Sequence, residues 1–245
     1  MTRTGPQAGD DAPPDRPWLR RFWYEVVRQT ASVFLVAVCG LRATGRGRIP
    51  LRGGVLVVSN HMSHLDVFVV GIPPPRQLNY VARSTLFIPL LGAFIRSVGG
   101  FPIQREGMGA SGVKETLRRV RQGGIVLLFP EGTRSRDGRV AEIKPGIAAL
   151  ASRAKVPVLP AGVAGTFEAW PRSRPFPLPH AIRIVYGVPI PPEEIARHTT
   201  ESLTALIADR VGDCVREAHR GLARDLRMEP AGSPPAPDPT RPASF

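Results

Sequence analysis

Two short apolar runs, each cut off by a burst of polar residues, constrain this chain more than its composition does. One is Gly53–Ser59 (GGVLVVS), followed by NHMSHLD; the other is Ile125–Phe129 (IVLLF), followed by PEGTRS. Runs of this length, apolar throughout and abruptly ended, read as buried strands. Around them the chain alternates. Helices are expected over 18–40, 64–71, 85–97, 112–121, 146–154 and about 200–224. Strands are expected over 53–59, 78–83, 100–104, 124–129, 157–163 and 181–187. Strands alternating with helices specify an α/β fold, here a single-domain layered sheet flanked by helices. A chain of 245 residues is long enough for one domain with a sizeable core.

The polar bursts carry the chemistry. NHMSHLD places His61 and Asp66 five positions apart on a strand-to-helix connection, with Asp66 in the first helical turn. From there the carboxylate can reach back and hold one imidazole nitrogen, leaving the other to accept a proton. That is the equipment of a general base aimed at a hydroxyl. Capping alone is the competing explanation, because Ser63-x-x-Asp66 is also a capping box. Metal ligation by His61, His64 and Asp66 is disfavoured, since the two cysteines, Cys39 and Cys214, lie far away and nothing completes a site. In PEGTRS, Gly132 permits a tight turn. Thr133, Arg134 and Ser135 gather donors where a strand ends, which suits a phosphate; a solvated polar turn is the plain alternative. A third segment, GGFPIQR, sets Arg105 just beyond another short strand. Ligands of open α/β sheets bind outside the carboxyl ends of the strands, so the three connections are expected to meet at one crevice.

Net charge is +13, carried almost wholly by arginine. Such a chain seeks polyanions, either anionic lipid headgroups or nucleic acid. No repeat, zinc-finger spacing or aromatic-basic RNA motif supports nucleic acid. Two cysteines make no disulfide framework, so a reducing compartment is the default.

NHMSHLD, GGFPIQR, FPEGTRS and VPVLPAGV (Val156–Val163) together resemble the four ordered blocks of the glycerolipid acyltransferases, in particular the bacterial 1-acyl-sn-glycerol-3-phosphate acyltransferases. The likeness runs from about Trp18 to Leu222. Gln104 departs from the usual second block, which bears on acceptor specificity. The resemblance implies acyl transfer from an acyl thioester, on acyl-CoA or acyl carrier protein, to the sn-2 hydroxyl of lysophosphatidic acid. It implies no cofactor beyond that co-substrate, and no metal. His61 and Asp66 would be catalytic. Arg105, Arg134, Thr133 and Gly132 would bind the acceptor phosphate. Glu131, Asn60, Ser63 and Lys144 would support the substrate or the loops. Glycerol 3-phosphate or a lyso-amino-acid lipid remains open as acceptor. A non-catalytic basic module for membrane or nucleic acid is the reading from another class, and it leaves the ordered motifs unexplained.

On this view residues 42–225 form the acyltransferase domain. Residues 1–17 and the Pro-rich 226–245 are tails too polar to bury a core, and 18–41 is a membrane-associating helix. Its apolar run, Ala31–Leu41, is about half of the ~20 residues needed to span a bilayer. Arg20, Arg21 and Arg28, with Trp18, Phe22 and Trp23, suit an interfacial helix on the cytoplasmic face, peripheral or monotopic. A signal peptide and a core helix are the alternatives. The apolar stretch Leu86–Gly100 can line an acyl-chain channel, touch lipid or pack in the core.

Overall fold

The computed structural model describes residues 17–103 and 109–228. In chain order the elements are α1 (Pro17–Cys39), β1 (Arg42–Thr44), β2 (Val55–Ser59), α2 (Asp66–Gly71), β3 (Leu78–Arg83), α3 (Pro89–Ser97) and β4 (Gly100–Ile103). There follow α4 (Gly109–Arg121), β5 (Ile125–Leu128), α5 (Gly146–Ala154), β6 (Val158–Ala164), α6 (Thr166–Ala169), β7 (Arg183–Tyr186), α7 (Pro192–Ile195) and α8 (Thr200–Met228). The strands form one seven-stranded sheet in the order β1-β7-β6-β2-β5-β3-β4. The pairs from β6 through β4 are parallel, and β7 joins β6 antiparallel.

Strand sequence decides the layering. A strand buried on both faces must be apolar at every position, because successive side chains point to opposite sides. In β2, Val55 and Val57 pack with Leu35, Cys39, Val69 and Val70, beneath α1 and α2. Leu56 and Val58 pack the other way with Leu117, Leu150, Leu203 and Ile207, beneath α4, α5 and α8. β5 alternates likewise: Ile125 and Leu127 join the first cluster, Val126 and Leu128 the second. Truncating one of these side chains, as in Leu127→Ala, should cost about 2–5 kcal/mol. α8 approaches β6 so closely that a Cβ on Gly162 would collide with the backbone of Cys214 and Val215.

α1 is partly a core helix. Tyr24, Leu35 and Cys39 are buried, while Trp18, Leu19, Phe22, Val33, Phe34 and Val36 remain exposed. The Tyr24 hydroxyl accepts from the Leu78 N–H at 3.1 Å, and Arg28 donates to the Ile72 carbonyl at 2.9 Å. α3 divides similarly: Gly92 and Ile95 are buried, but Leu86 and Ile88 before it and Leu90, Leu91 and Phe94 within it are exposed. No helix among the described residues is long and apolar enough to cross a membrane. α8 continues to Met228, three residues into the stretch expected as tail, and α1 begins at Pro17. The rest of both expected tails lies outside the described residues.

Candidate functional site

Four neighbouring parallel strands, β6, β2, β5 and β3, deliver their following connections to one end of the sheet. The site is built there. Where β2 stops, the Asn60 side chain takes over from the ladder. Its amide donates to the Val163 carbonyl at 3.0 Å, and its carbonyl oxygen accepts from the Val163 N–H at 2.8 Å. The side chain thus imitates one more residue of strand pairing, and the main chain is free to turn outward at His61.

His61 is then gripped on several sides. Its N–H donates to Glu131 Oε1 at 2.6 Å, and its carbonyl accepts from the Ser135 N–H at 2.8 Å. Its ring stacks on Phe129, with centroids 3.8 Å apart and planes 9° from parallel. Nδ1 lies 2.8 Å from Asp66 Oδ2. Asp66 is fully buried, and the same oxygen accepts from the N–H groups of Met62 at 2.6 Å and Ser63 at 2.7 Å. A carboxylate only accepts, so the imidazole proton sits on Nδ1 and the Nε2 lone pair is free. The imidazole is 18% exposed, enough for a substrate oxygen to reach it. The expected Ser63-x-x-Asp66 capping box is only half formed: Asp66 accepts from the Ser63 N–H, but α2 starts at Asp66 with no side-chain cap, because the Ser63 hydroxyl is engaged elsewhere. Ser63 serves the connection itself, donating from Oγ to the Trp170 carbonyl at 2.8 Å and accepting from the Leu65 N–H at 3.2 Å. His64 lies against Trp170, with ring centroids 5.2 Å apart. Partial burial first, then the Arg134 charge, lowers its pKa, so it stays neutral.

The segment after β5 closes the other side. Gly132 adopts φ 73°, a left-handed conformation natural to glycine, and its N–H returns to the Phe129 carbonyl at 3.1 Å. Glu131 is buried and spans two segments, accepting from His61 N–H and, at 2.9 Å, from Ala141 N–H. Burial pushes its pKa up to about 7; the two N–H bonds oppose that rise, and the Asp66 charge adds to it. Lys144 folds its side chain over Gly132, and Thr133 is exposed at the turn. Ser135 differs from the expectation of a phosphate donor. It is buried, its hydroxyl donates to Asp137 at 3.2 Å, and its N–H is spent on His61. Arg134 is half-buried, and its Nη1 is fully buried without a hydrogen-bond partner among the described residues. Burial, then the charges of Arg172 and Arg83, disfavour its cationic form, while Asp66 favours it. The expected Arg105 lies outside the described residues.

Arg83 and Arg172 are the residues that sequence reasoning missed. Arg83 ends β3, so the strand-end rule that singled out His61 and Arg134 applies to it equally. Arg172, two residues past Trp170, carries no local signal. The charges of Arg83 and Arg172 thus reach Arg134 beside a histidine–carboxylate pair, a local excess of positive charge suited to a dianion. Among the described residues no group of three His, Cys, Asp or Glu could hold a metal ion.

The sequence model of the family described as Acyltransferase matches residues 40–164, just over half of the chain. The chain belongs to the Acyltransferase family. This acyltransferase is 24% identical over 204 residues to the 1-acyl-sn-glycerol-3-phosphate acyltransferase of Bacillus subtilis (strain 168), covering 81% of this chain and 98% of that one. It is 30% identical over 184 residues to the enzyme of that name from Limnanthes douglasii, covering 73% of this chain and 62% of that one. It is 34% identical over 151 residues to the lyso-ornithine lipid O-acyltransferase of Rhizobium meliloti (strain 1021), covering 60% of this chain and 48% of that one. Its fold matches the crystal structure of the 1-acyl-sn-glycerophosphate (LPA) acyltransferase PlsC from Thermotoga maritima. The TM-score is 0.71 at 23% identity, over 89% of this chain and 85% of that one. The layered α/β expectation holds, and the enzyme is an O-acyltransferase.

Proposed function

We propose that this acyltransferase moves an acyl group from an acyl thioester to the sn-2 hydroxyl of lysophosphatidic acid, giving phosphatidic acid. The observation that carries the reading is the His61 Nδ1–Asp66 Oδ2 contact of 2.8 Å beside an arginine, Arg134, whose Nη1 has no hydrogen-bond partner among the described residues. His61 Nε2 takes the acceptor hydroxyl proton as that oxygen attacks the thioester carbonyl. Asp66 holds the imidazole tautomer and stabilises the imidazolium that forms. The new C–O bond replaces the C–S bond, and His61 returns the proton to the leaving thiolate. No acyl-enzyme intermediate is required. Arg134, with Arg83, Arg172 and Arg105, binds the acceptor phosphate; Gly132 and Thr133 shape the turn. Lys144 is a further cation beside it. Asn60, Ser63 and Glu131 hold the connections in place. No cofactor is needed besides the co-substrate.

Names of relatives support a lysophospholipid acceptor, and one supports a lyso-ornithine lipid instead. The clustered arginines favour the phosphorylated acceptor. The donor is acyl-CoA or acyl carrier protein, since both present the same thioester. Attachment is peripheral, on the cytoplasmic membrane face, through the exposed apolar and basic part of α1. A small apolar pocket of about 40 Å³ between α1 and α2, lined by Ala31, Val67, Phe68 and Leu78 among others, is too small to hold an acyl chain as it stands.

The test is thiol release from acyl-CoA and from acyl carrier protein, with a panel of lyso-acceptors and mass spectrometry of the products. Lysophosphatidic acid should be the preferred acceptor, and His61→Ala should lower kcat at least ~100-fold while the protein stays folded. A folded His61→Ala enzyme with near-normal kcat would sink the mechanism.

A further inference from the structure

The connection from α6 to β7 contains the stretch Trp170–His180, WPRSRPFPLPH, with four prolines, two arginines and three large apolar residues, Trp170, Phe176 and Leu178. Phe176 is 76% exposed, more than Trp18 at 65%, and Leu178 is 50% exposed. Nothing suggests a slack loop. Arg174 N–H donates to the Pro171 carbonyl at 3.1 Å, Trp170 Nε1 donates to the Arg174 carbonyl at 3.1 Å, and Leu178 N–H donates to the Ala169 carbonyl at 2.8 Å. Three prolines, Pro171, Pro175 and Pro177, fix φ within the span of these bonds, and Pro179 follows. The chain is braced in a shape that holds its apolar residues away from the core, where water gives them no stabilisation.

The placement of this stretch is specific. Its flanking residues Ala169 and Ile182 sit in the same apolar cluster as Leu35 and Cys39 of α1. Ile182 N–H donates to the Cys39 carbonyl at 3.0 Å. The loop therefore rises over the same face of the sheet as the C-terminal half of α1, where Val33, Phe34 and Val36 are exposed. Its other end is part of the site, through the Ser63 hydroxyl on the Trp170 carbonyl and the His64 ring on Trp170. Exposed Arg172 and Arg174 lie just before the apolar tip in the chain. An apolar tip adjoined by exposed arginines matches an anionic bilayer, with hydrocarbon inside and phosphates at the rim.

We infer that residues 171–180 are a lipid-contact loop, distinct from the N-terminal part of α1, in which Phe176 and Leu178 enter an anionic membrane surface and Arg174 meets its headgroups. Docking through this loop holds the mouth of the His61 site at headgroup depth, where a bilayer-embedded acceptor presents its hydroxyl. The effect on turnover rests on the lysophospholipid reading; the membrane contact itself does not.

Two measurements on the full chain test it. The double variant Phe176→Asp, Leu178→Asp is compared with the parent on vesicles of phosphatidylglycerol and phosphatidylcholine. Its partition should weaken roughly tenfold or more, because two apolar side chains are replaced by charges. Turnover of long-chain, bilayer-embedded lysophosphatidic acid should fall in step, with turnover of a short-chain soluble analogue within twofold of the parent. Second, Ser173→Cys introduces an exposed thiol into a chain whose own Cys39 and Cys214 are buried. An environment-sensitive fluorophore on it should shift to shorter wavelength with the anionic vesicles, and much less with phosphatidylcholine alone. Unchanged partition of the double variant, or no spectral shift at Ser173→Cys, overturns the inference. If no lyso-acceptor is turned over by the parent, the acceptor reading fails while the fluorescence still decides the loop.

Discussion

Replacing Asp66 by asparagine separates what this residue does for the fold from what it does for the reaction. Three donors converge on Asp66 Oδ2: His61 Nδ1, Met62 N–H and Ser63 N–H, at 2.8, 2.6 and 2.7 Å. An asparagine carbonyl oxygen at that point can accept all three. Its NH₂ then falls where Oδ1 is, a buried position without a hydrogen-bond partner among the described residues, at a cost of about 1–3 kcal/mol. For a domain of this size that lowers Tm by roughly 2–12 °C. The charge is lost as well. A carboxylate and an imidazolium about 4 Å apart attract by about 4 kcal/mol at an effective dielectric near 20. If half the proton's charge has arrived in the transition state, about 2 kcal/mol is lost, or about 30-fold in kcat; full transfer gives about 10³-fold. Asp66→Asn should therefore fold and lose 30- to 1000-fold in kcat, with little change in either KM. Asp66→Ala should lose stability too, since it strands the buried Met62 and Ser63 N–H groups at about 1–3 kcal/mol each. Thiol-release kinetics beside thermal unfolding decide the matter. An Asp66→Asn enzyme within threefold of the parent kcat would refute the role given to the carboxylate charge.

Arg134→Ala should raise the acceptor KM about 10- to 150-fold, the value of one charged hydrogen bond of roughly 1.5–3 kcal/mol, and spare the acyl-donor KM; the reverse pattern would assign the arginine to the donor. Glu131 should leave a signature in stability against pH. Its folded pKa of about 7 stands above the ordinary 4.5, so between those values the folded chain holds a proton that the unfolded chain has released. Stability should then fall as pH rises through that window, by about 3 kcal/mol at most. Urea midpoints should show a shallower fall for Glu131→Gln, and identical slopes would count against the burial argument. Trp18→Asp with Phe22→Asp should weaken sedimentation with anionic vesicles, more at low salt than at high, and binding that ignores both changes would remove α1 as an anchor.

The elements legible in the sequence were those with a strong period or an unbroken apolar run. β5 and β6 are apolar at every position, and β2 at all but its last, Ser59, because both faces are covered; α8 repeats its apolar residues at helical spacing. β1 is three residues, Arg42-Ala43-Thr44, at the sheet edge; with one polar and one charged residue in three it has no pattern to read. α6 and α7 are four residues each, too short for a helical period. The His61–Asp66 contact was legible because both partners lie on one short connection. The approach of Arg83 and Arg172 to Arg134 was not, because it depends on β3 and β6 flanking β5 and β2 in the sheet, an order that no local pattern encodes. Ser135 misled for a related reason: a hydroxyl in a polar turn looks available until the turn itself is seen to use it.

The antiparallel pairing of β6 and β7 has a consequence for how such a chain can diversify. From β2 to β6, every connection must carry the chain back along a whole layer before the next strand can start, so its length is tied to the height of the sheet. The connection from β6 to β7 leaves and re-enters at the same end. Residues inserted there displace no strand and shift no register, yet they arrive next to His64 and Trp170. This makes the segment a modular socket, one place where insertion or shuffling can retune the surroundings of the reaction while the scaffold stays constant. A library randomised in length between Pro171 and His180 should sample new surroundings of the site without displacing a strand, which thermal unfolding beside acceptor-panel turnover would check.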